Sequence, residues 1–510
     1  MKLAHILAYL AISGIALSTH AQTQPKDGGT IKIGLPAREI TNGLDPHVIQ
    51  GESTAWVLGQ MAEGLLNFDK NMDIVPWLAQ SWSMSKDRKT YTFVLHKGVK
   101  FQNSREMTAE DVKFSLERIL DPKTGSRRRQ NLSMIERVDV IDPYTVAIRL
   151  KAPYAPLLST LAGVWVPIIA KEGIKPDGSI SQLIGTGPFT LVKWVKNDSL
   201  SLKKFAGYWR RGEPRVDGVT FVSLPDDATR MTALRTGAVD VITSVPPQLL
   251  PSLTSNNARG FELLVRPGTI WHMAVMNTTK PPFNDVRVRQ AVNLALDRKA
   301  MVQMLTFGFG KADNQTYDEN SFWRLKGEVP NADLKKARAL LAEAGYKQGL
   351  PIIIESKPEG RNDAQVVQSQ LNAAGFQVTI KISDGVALNK RMKAYNFQLA
   401  ISSSDWYVDP DFRFSRFYTK SGPAHYLAGG YDNPSVAELL AQARLESDPV
   451  KRKAIYQQAF DMIERDVPSV LLYFDPRALA WRNDVKGFNI NPNGDLSYAD
   501  GGLAKVWLDR

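Results

Sequence analysis

Cysteine is missing from this chain of 510 residues. Its absence rules out disulfides, thiolate nucleophiles, zinc sites built on sulfur and attachment of a lipid to an N-terminal cysteine. Histidine is scarce as well: there are six, and His5 and His20 both lie within the first 21 residues. The other four are far apart and form no H-E-x-x-H motif. The sequence therefore predicts no metal site and no cofactor held by protein ligands alone.

Several sequence motifs of catalysis are also lacking. The nucleophile elbow G-x-S-x-G of serine hydrolases does not occur, and the glycine pairs in "GFGK" (308–311) and "GTGPF" (185–189) are too short to be nucleotide-binding loops. A glycoside hydrolase, however, needs only two suitably spaced acids and no motif. A periplasmic hydrolase with paired carboxylates therefore stays open as an alternative to a binding protein.

Long apolar runs are confined to the N-terminus. Lys2 is followed by a mostly apolar stretch over residues 3–17 and by small residues up to Ala21. This order is typical of a secretory signal peptide, because about 15 apolar residues are too few to span a bilayer. We expect cleavage after Ala21. Without a cysteine to carry a lipid, the exported chain is expected in the periplasm and not as a lipoprotein.

Acidic residues are outnumbered by basic ones, and the formal net charge is +12 at pH 7. Lys2 is the only charged residue of the predicted signal peptide, which leaves +11 for the mature chain. The one dense basic run is "RRR" at 127–129, in a turn-rich stretch without aromatic residues on which bases could stack. We interpret it as a solvated loop, and the sequence predicts no nucleic-acid partner.

The length predicts two or three domains, and the pattern differs between the two halves of the chain. The first half is mixed and rich in strands. The second half predicts a helix over 283–302, a strand over 351–355, a helix over 363–374 and strands over 377–382 and 397–402. Strand, helix and strand in this order form a β-α-β unit, so the first two strands are expected to be parallel. The second half therefore predicts an open α/β sheet.

Six segments occur in an order that points to a known family. They are "IVPWLAQSWSMSKDRKTYTFVLHKGVKFQNSREMTAEDVKFSLERILDP" (74–122), "GTGPF" (185–189), "ALRTGAVDV" (233–241), "PPFNDVRVRQAVNLALDRKAMV" (281–302), "KKARALLAEAGY" (335–346) and "VPSVLLY" (467–473). With them the chain resembles the family 5 solute-binding proteins, which serve ABC importers of dipeptides, oligopeptides, nickel chelates, haem or glutathione. The resemblance extends over essentially the whole mature chain.

The resemblance implies an α/β fold of two lobes, of the periplasmic-binding-protein type (type II, cluster C), with an additional strand-rich subdomain. The implied divisions are a signal peptide at 1–21, lobe I at 22–45, 184–268 and 483–510, an inserted subdomain of lobe I at 46–183, and lobe II at 269–482.

The implied function is that of the periplasmic substrate-binding component of an ABC importer. A monomer of this kind captures a di- or oligopeptide or glutathione between two closing lobes and delivers it to membrane permease subunits. It is not an enzyme. The same fold with a nickel chelate, haem or an oligosaccharide as its ligand stays open as an alternative.

Two residues of opposite charge follow strands of the predicted sheet. Ligands of open α/β sheets bind beyond the carboxyl ends of the strands. Asp405 lies just past the strand at 397–402, and Arg361 lies in the loop after the strand at 351–355. A carboxylate suits an ammonium group, and a guanidinium binds a carboxylate through two hydrogen bonds. We expect the two to hold a zwitterion, with a turn residue and a solvated charge as the respective alternatives.

The resemblance implies the same roles, since dipeptide-binding relatives seat the ligand's amino group on an aspartate and its carboxylate on an arginine. In that type the aspartate precedes an Asp-Pro pair by three residues, whereas Asp405 precedes Asp409-Pro410 by four. The stretch "DWYVDP" (405–410) looks closer to the glutathione-binding subgroup. Asp409 and Asp411 themselves are interpreted as turn and helix-cap residues around Pro410.

Aromatic side chains and a second loop complete the predicted site. Trp406 and Tyr407 are predicted to line the cleft because they combine a rigid ring with a polar group, with core packing as the alternative for one of them. Trp271 follows "RPGTI", where the chain is expected to cross between the lobes, and is predicted as a cleft wall with core packing as the alternative. Asp45, and with it Glu52, is expected at the cleft edge in the loop "GLDPHVIQGES" (43–53).

Overall fold

The computed structural model describes residues 24–255, 260–317, 319–405 and 408–510. Within these ranges no helix is both long and apolar enough to cross a membrane. The strands are β1 (Thr30–Leu35), β2 (Leu66–Phe68), β3 (Ile74–Pro76), β4 (Ala79–Met84), β5 (Thr90–Leu95), β6 (Ile135–Asp142), β7 (Thr145–Leu150), β8 (Phe189–Val195), β9 (Ser199–Lys204), β10 (Gly218–Ser223), β11 (Val241–Ile242), β12 (Phe261–Met276), β13 (Leu350–Ser356), β14 (Phe376–Ile382), β15 (Leu399–Ser404), β16 (Ser469–Arg482), β17 (Val485–Lys486) and β18 (Trp507–Leu508).

Helices cover the sheet faces and fill the second half of the chain. They are α1 (Glu52–Leu58), α2 (Ala109–Leu120), α3 (Leu157–Ala162), α4 (Asp227–Thr236), α5 (Leu250–Ser255), α6 (Val286–Ala295), α7 (Arg298–Thr306), α8 (Leu334–Glu343), α9 (Arg361–Ala373), α10 (Gly385–Lys393), α11 (Pro410–Tyr418), α12 (Pro434–Leu445) and α13 (Pro449–Asp466).

One sheet of ten strands runs through the molecule, in the order β14-β13-β15-β12-β16-β11-β1-β10-β9-β8. The long strands β12 and β16 pair antiparallel along most of their length, with a shift of register between Pro267 and Trp271. On one side of this shift, at residues 480–481, β16 also pairs with β11. On the other side, at residues 271–276, β12 also pairs with β15. We call the side with β1 and β8–β11 lobe I and the side with β13–β15 lobe II. Two paired strands therefore connect the lobes.

A separate antiparallel sheet, β4-β5-β7-β6, forms a strand-rich subdomain between β1 and β8. Helix α2 packs against it, and the two share a core that includes Phe93, Val112, Leu116 and Ile148. Helix α1 packs its Trp56 into the core of lobe I instead. We use the name inserted subdomain for residues 46–183, as predicted; the domain limits remain predictions.

The predicted secondary structure is confirmed where local signals are strong. Strands β13 and β14 flank α9 and pair in parallel, as a β-α-β unit requires. The prediction of a single helix over 283–302 is wrong. This stretch forms two helices, because Leu296 is extended and the Asp297 side chain accepts the Ala300 N–H, which caps α7. Helix α8 is capped by Asp333, whose side chain accepts the Lys336 N–H.

Candidate functional site

A cavity of about 870 Å³ lies between lobe II on one side and lobe I with the inserted subdomain on the other. Its volume falls within the range of about 300–1,000 Å³ that is usual for small-molecule sites. Four parts of the chain surround it: the inserted subdomain with the loop and helix around Glu52, the crossing strands β12 and β16, the part of lobe II that includes Asp405, α11 and Arg444, and the C-terminal residues 493–495. A bound solute would therefore contact both lobes at once.

Asp405 follows β15 directly and lines this cavity, as its predicted place at a strand end requires. Its side chain is open to the cavity, but the surrounding walls remove much of its hydration. This desolvation raises the pKa of Asp405 above its ordinary value, and the negative charge of Glu52 adds to the rise. The positive charges of Arg477 and Arg416 oppose it. A ligand cation beside Asp405 would stabilise the carboxylate.

Arg477 places a guanidinium in the cavity wall from β16. Its side chain is 9% exposed, and its Nη1 lies 2.6 Å from Glu52 Oε1. Its Nη2 donates to Thr269 Oγ1 at 3.1 Å. A Cβ on Gly494 would lie 2.8 Å from this guanidinium, so the close approach depends on a glycine there. Because Glu52 neutralises much of the positive charge of Arg477, this arginine only partly offsets the negative charge of the other acids nearby.

Asp495 adds a further acid to this end of the cavity. Its carboxylate accepts hydrogen bonds from Asn493 Nδ2 at 2.9 Å and Asn491 Nδ2 at 3.2 Å. Burial raises its pKa, and the charge of Glu52 raises it further. We call Glu52, Asp405, Arg477 and Asp495 the acidic end of the cavity. It has three acids and one arginine.

Asp409 and Asp411 differ in role although they stand two residues apart. Asp409 is confirmed as a cap: it precedes Pro410 at the start of α11 and accepts the Asp411 N–H at 2.9 Å. It also forms a buried ion pair with Arg452, whose Nη2 lies 2.6 Å from Asp409 Oδ1. Asp411 lies within the first turn of α11 and is not its cap, so its predicted role as a cap is wrong. It lines the cavity, accepts from Arg444 Nε at 3.2 Å, and burial raises its pKa.

Two of the predicted site residues belong to the core instead. Trp271 is 1% exposed and packs against Phe417 and Phe474, so it is not a cleft wall. Helices cover both faces of β12 here, and the neighbours Thr269 and Ile270 line the cavity in its place. Asp45 is buried in an ion pair with Arg118, with an Nη2–Oδ2 distance of 2.5 Å. It fixes a loop and does not line the cavity.

Arg361 begins α9, is exposed, and is not among the described residues that line the cavity. The reason lies in the order of strands: β15 separates β13, which leads to Arg361, from the crossing strand β12. Trp406 and Tyr407 lie outside the residues that the structure describes, so their predicted places remain predictions.

Sequence reasoning missed the arginines of the cavity. They are Arg127 and Arg128 of the inserted subdomain, Arg416 and Arg444 of lobe II, and Arg477 of β16. The predicted loop at 127–129 is confirmed, with Arg127 and Arg129 exposed, and its first two residues also line the cavity. For Arg477 a signal existed, since an arginine interrupts the apolar strand "SVLLYFDPRALAW" (469–481) without an alternating pattern. Nothing local marks the others.

Comparison with known proteins gives a consistent result. The family model "Bacterial extracellular solute-binding proteins, family 5 Middle" matches residues 73–425. The glutathione-binding protein GsiB of Escherichia coli K12 is 28% identical over 477 residues, which cover 90% of this chain and 92% of that protein.

Solved structures extend the comparison to the fold. The periplasmic binding protein DppA of Helicobacter pylori, in complex with the peptide STSA, is 25% identical with a TM-score of 0.80, over 95% of this chain and 99% of that one. The binding protein AgaA of A. tumefaciens R10, in complex with agropinic acid, is 27% identical with a TM-score of 0.78, over 94% and 99% of the two chains. The fold is thus that of type II periplasmic binding proteins, and the chain belongs to the family 5 bacterial extracellular solute-binding proteins, as the substrate-binding component of an ABC importer.

Proposed function

We propose that this chain binds a peptide-like solute with a free amino group, either a short peptide or glutathione, and presents it to the membrane permease of its importer. The observation that carries the proposal is Asp405. It is an acid at the wall of an interlobe cavity, with no hydrogen-bond or ion-pair partner among the described residues. Desolvation disfavours its charge, so a ligand ammonium would supply the missing partner.

The ligand's carboxylate would find a cation within the same cavity. Arg477 and Arg416 are the positive groups whose charges act on Asp405. One small molecule could therefore place its ammonium group at Asp405 and its carboxylate at one of these two arginines. Similar proteins support this ligand class, because one relative is a glutathione-binding protein and one solved structure holds the peptide STSA. We therefore propose that the arginines of the cavity bind the ligand's carboxylate in place of Arg361.

Ligand capture would work through closure of the lobes. Contacts that include residues of the cavity wall already join lobe II to the inserted subdomain: Ser159 Oγ of α3 donates to Asp409 Oδ2 at 3.2 Å, and the Ala155 N–H donates to the Arg444 carbonyl at 3.0 Å. A solute that touches both lobes stabilises this closed form over an open one. The register shift in β12 and β16 would act as the hinge. No bond of the solute is broken, and the protein acts as a monomer in the periplasm.

Native mass spectrometry of freshly purified protein, followed by calorimetric titration with glutathione, dipeptides and tripeptides, tests the ligand class. We expect a peptide-like mass to be bound and released intact. Asp405→Asn should weaken peptide binding at least about tenfold, because it removes a charge-assisted hydrogen bond. Asp461→Asn is the matched control, since Asp461 is exposed on α13 and contacts Gln457. A protein that carried only a neutral sugar, or an unchanged affinity in Asp405→Asn, would contradict the proposal.

A further inference from the structure

The C-terminal end of helix α12, in lobe II, meets the inserted subdomain. Helix α12 ends at Leu445, and Glu446 is its capping residue. The last carbonyls of a helix have no partner within the helix itself, so they accept hydrogen bonds from other groups or from water. Here the Ala155 N–H of the inserted subdomain donates to the Arg444 carbonyl at 3.0 Å. A different part of the molecule therefore completes the hydrogen bonding of this helix end.

Arg88 reaches the same helix end from the turn between β4 and β5. Its Nη1 lies 3.1 Å from Glu446 Oε1. A cation beside the C-terminus of a helix also interacts favourably with the helix dipole. The backbone of Arg88 has a φ of +59°, a left-handed conformation that glycine adopts at lower cost. A glycine here would relieve the turn but would lose the contact with lobe II.

Further contacts lie beside this helix end. Val408 of lobe II packs against the core of the inserted subdomain, and Ser159 Oγ lies 3.2 Å from Asp409 Oδ2. The inserted subdomain itself is tied to lobe I, since Gln102 Nε2 donates to the Phe189 carbonyl of β8 at 2.7 Å. Opening of the lobes would therefore break the contacts between α12 and the inserted subdomain.

Arg88 and Glu446 stand apart from the ligand site. Neither is among the described residues that line the cavity, whereas Arg444, two positions before Glu446, does line it. The side chains of Arg88 and Glu446 are 44% and 22% exposed, so solvent weakens their attraction. The strength of this ion pair can thus be changed without altering the groups that would contact a solute.

We propose that Arg88, Ala155, Arg444 and Glu446 form a latch that holds the lobes closed in the absence of a ligand. This inference rests on the lobe closure of the proposed function but not on the chemistry of the solute. A ligand that binds only the closed form has an apparent affinity in proportion to the fraction of molecules already closed. The latch therefore raises the affinity for every ligand by the same factor, and it slows release because the lobes must part before the ligand leaves.

A reversal of charge tests the latch. Arg88→Glu places a carboxylate opposite Glu446, and the double variant Arg88→Glu with Glu446→Arg restores opposite charges in exchanged positions. Arg137→Glu is the matched control, because Arg137 lies on β6 of the same subdomain and pairs with Asp139 at 3.2 Å. Thermal unfolding of each variant checks that the protein is folded.

Spin labels report the distance between the lobes without any ligand. Ile141→Cys on β6 and Val386→Cys on α10 provide the attachment sites, since both side chains are exposed and the chain has no cysteine of its own. Pulsed electron paramagnetic resonance of the labelled, ligand-free full chain should show longer distances with Arg88→Glu than without it. The double variant should return the distances to their original values, and Arg137→Glu should leave them unchanged.

Calorimetric titration then measures the effect of the latch on affinity. With glutathione, a dipeptide and a tripeptide as probes, Arg88→Glu should weaken the binding of each by about fivefold, because a modest attraction becomes a modest repulsion. The double variant should recover the affinity for all three probes, and Arg137→Glu should keep it.

The outcomes separate this inference from the proposed function. Unchanged distances in Arg88→Glu would overturn the latch, as would a failure of the double variant to restore them. Losses of affinity that differ from one probe to the next would also overturn it, because the two residues would then act on the solute. If the unsubstituted protein binds none of the three probes, the proposed function fails, and the distances alone decide whether the latch exists.

Discussion

Arg477 on β16 and Glu52 at the start of α1 form an ion pair of 2.6 Å in the wall of the ligand cavity. Asp405 faces this pair from lobe II and responds to both charges. Since the two charges largely cancel, the desolvation of Asp405 is not offset, and its pKa stays raised. In the proposed complex, the ammonium group of the ligand would supply the positive charge that the Arg477–Glu52 pair does not give to Asp405.

Glu52→Gln should lower the pKa of Asp405, because it removes a negative charge and leaves Arg477 to stabilise the carboxylate. If Asp405 binds the ligand's ammonium group as proposed, peptide affinity should fall at acidic pH, where the carboxylate becomes protonated. We expect this decline to begin at a lower pH in the variant than in the wild-type protein. Calorimetric titration over a series of pH values measures the shift, with Glu136→Gln as control, since Glu136 is exposed on β6. A decline at the same pH in all three proteins would contradict the coupling.

Gly494→Ala should weaken peptide binding by about tenfold or more. The new Cβ would lie 2.8 Å from the Arg477 guanidinium and would displace it from Glu52, removing a charged hydrogen bond. The backbone of Gly494 also has a φ of +91°, which costs about 1 kcal/mol for alanine.

Gly345→Ala separates these two effects. Gly345 has a φ of +97°, and a Cβ there meets no atom within 4 Å. The Gly345→Ala variant should lose a similar amount of stability, because alanine must adopt the same positive φ, but it should keep its affinity for peptide. Equal affinities for the two variants would show that the position of Arg477 does not matter for binding.

Arg452→Met should lower the free energy of unfolding by about 3–5 kcal/mol, because it leaves Asp409 buried without its cation. The two side chains are 4% and 5% exposed, so water cannot replace the lost partner. In the double variant Asp409→Asn with Arg452→Met, the loss should be clearly smaller than the sum of the two single losses. Denaturant unfolding of the four proteins measures this cycle. Additive losses would mean that the pair does not interact.

Stability should also fall between pH 6.5 and pH 4 because of His47. Burial lowers the pKa of its imidazole to about 4, against the hydrogen bond to the Pro167 carbonyl that favours the protonated form. In this window the unfolded chain binds the proton and the folded chain does not, so acid favours unfolding. A shift of this size corresponds to about 3 kcal/mol.

Denaturant unfolding at pH 7, 5.5 and 4.5 checks the contribution of His47. Its Nδ1 accepts from Arg118 Nη1 at 3.0 Å, so His47→Gln retains polar atoms at the site without a titrating group. The variant should be less stable than the wild-type protein at pH 7 and lose less stability on acidification. A loss of the same size in both proteins would place the titrating group elsewhere.

Local signals account for the parts of the fold that the sequence predicts correctly. Patterns within a few residues predict β13, α9 and β14, and the order of these three elements predicts that the two strands run parallel. The position of Asp405 was predicted from a rule about strand ends, which needs only the element order. Trp271 was misplaced because alternation along β12 does not tell which faces neighbouring helices will cover.

Charged residues of the cavity resist prediction for a different reason. Arg127 and Arg477 are 350 positions apart in the chain, and only the tertiary fold brings both to one cavity. Arg361 satisfied the same strand-end rule as Asp405, yet β15 lies between its strand and the crossing strands. The rule identifies an edge of the sheet, and strand order decides which part of that edge reaches the partner lobe.

The continuous pairing of β12 and β16 has a thermodynamic consequence. Pro267 faces Pro476 on one side of the register shift and Trp271 faces Phe474 on the other. With the hinge that we propose at residues 268–270, the lobes would rotate while the pairs on both sides persist. Ligand binding then orders no new strand. Its heat capacity change should report only the apolar surface that closure covers, and it should lack the large contribution of coupled folding.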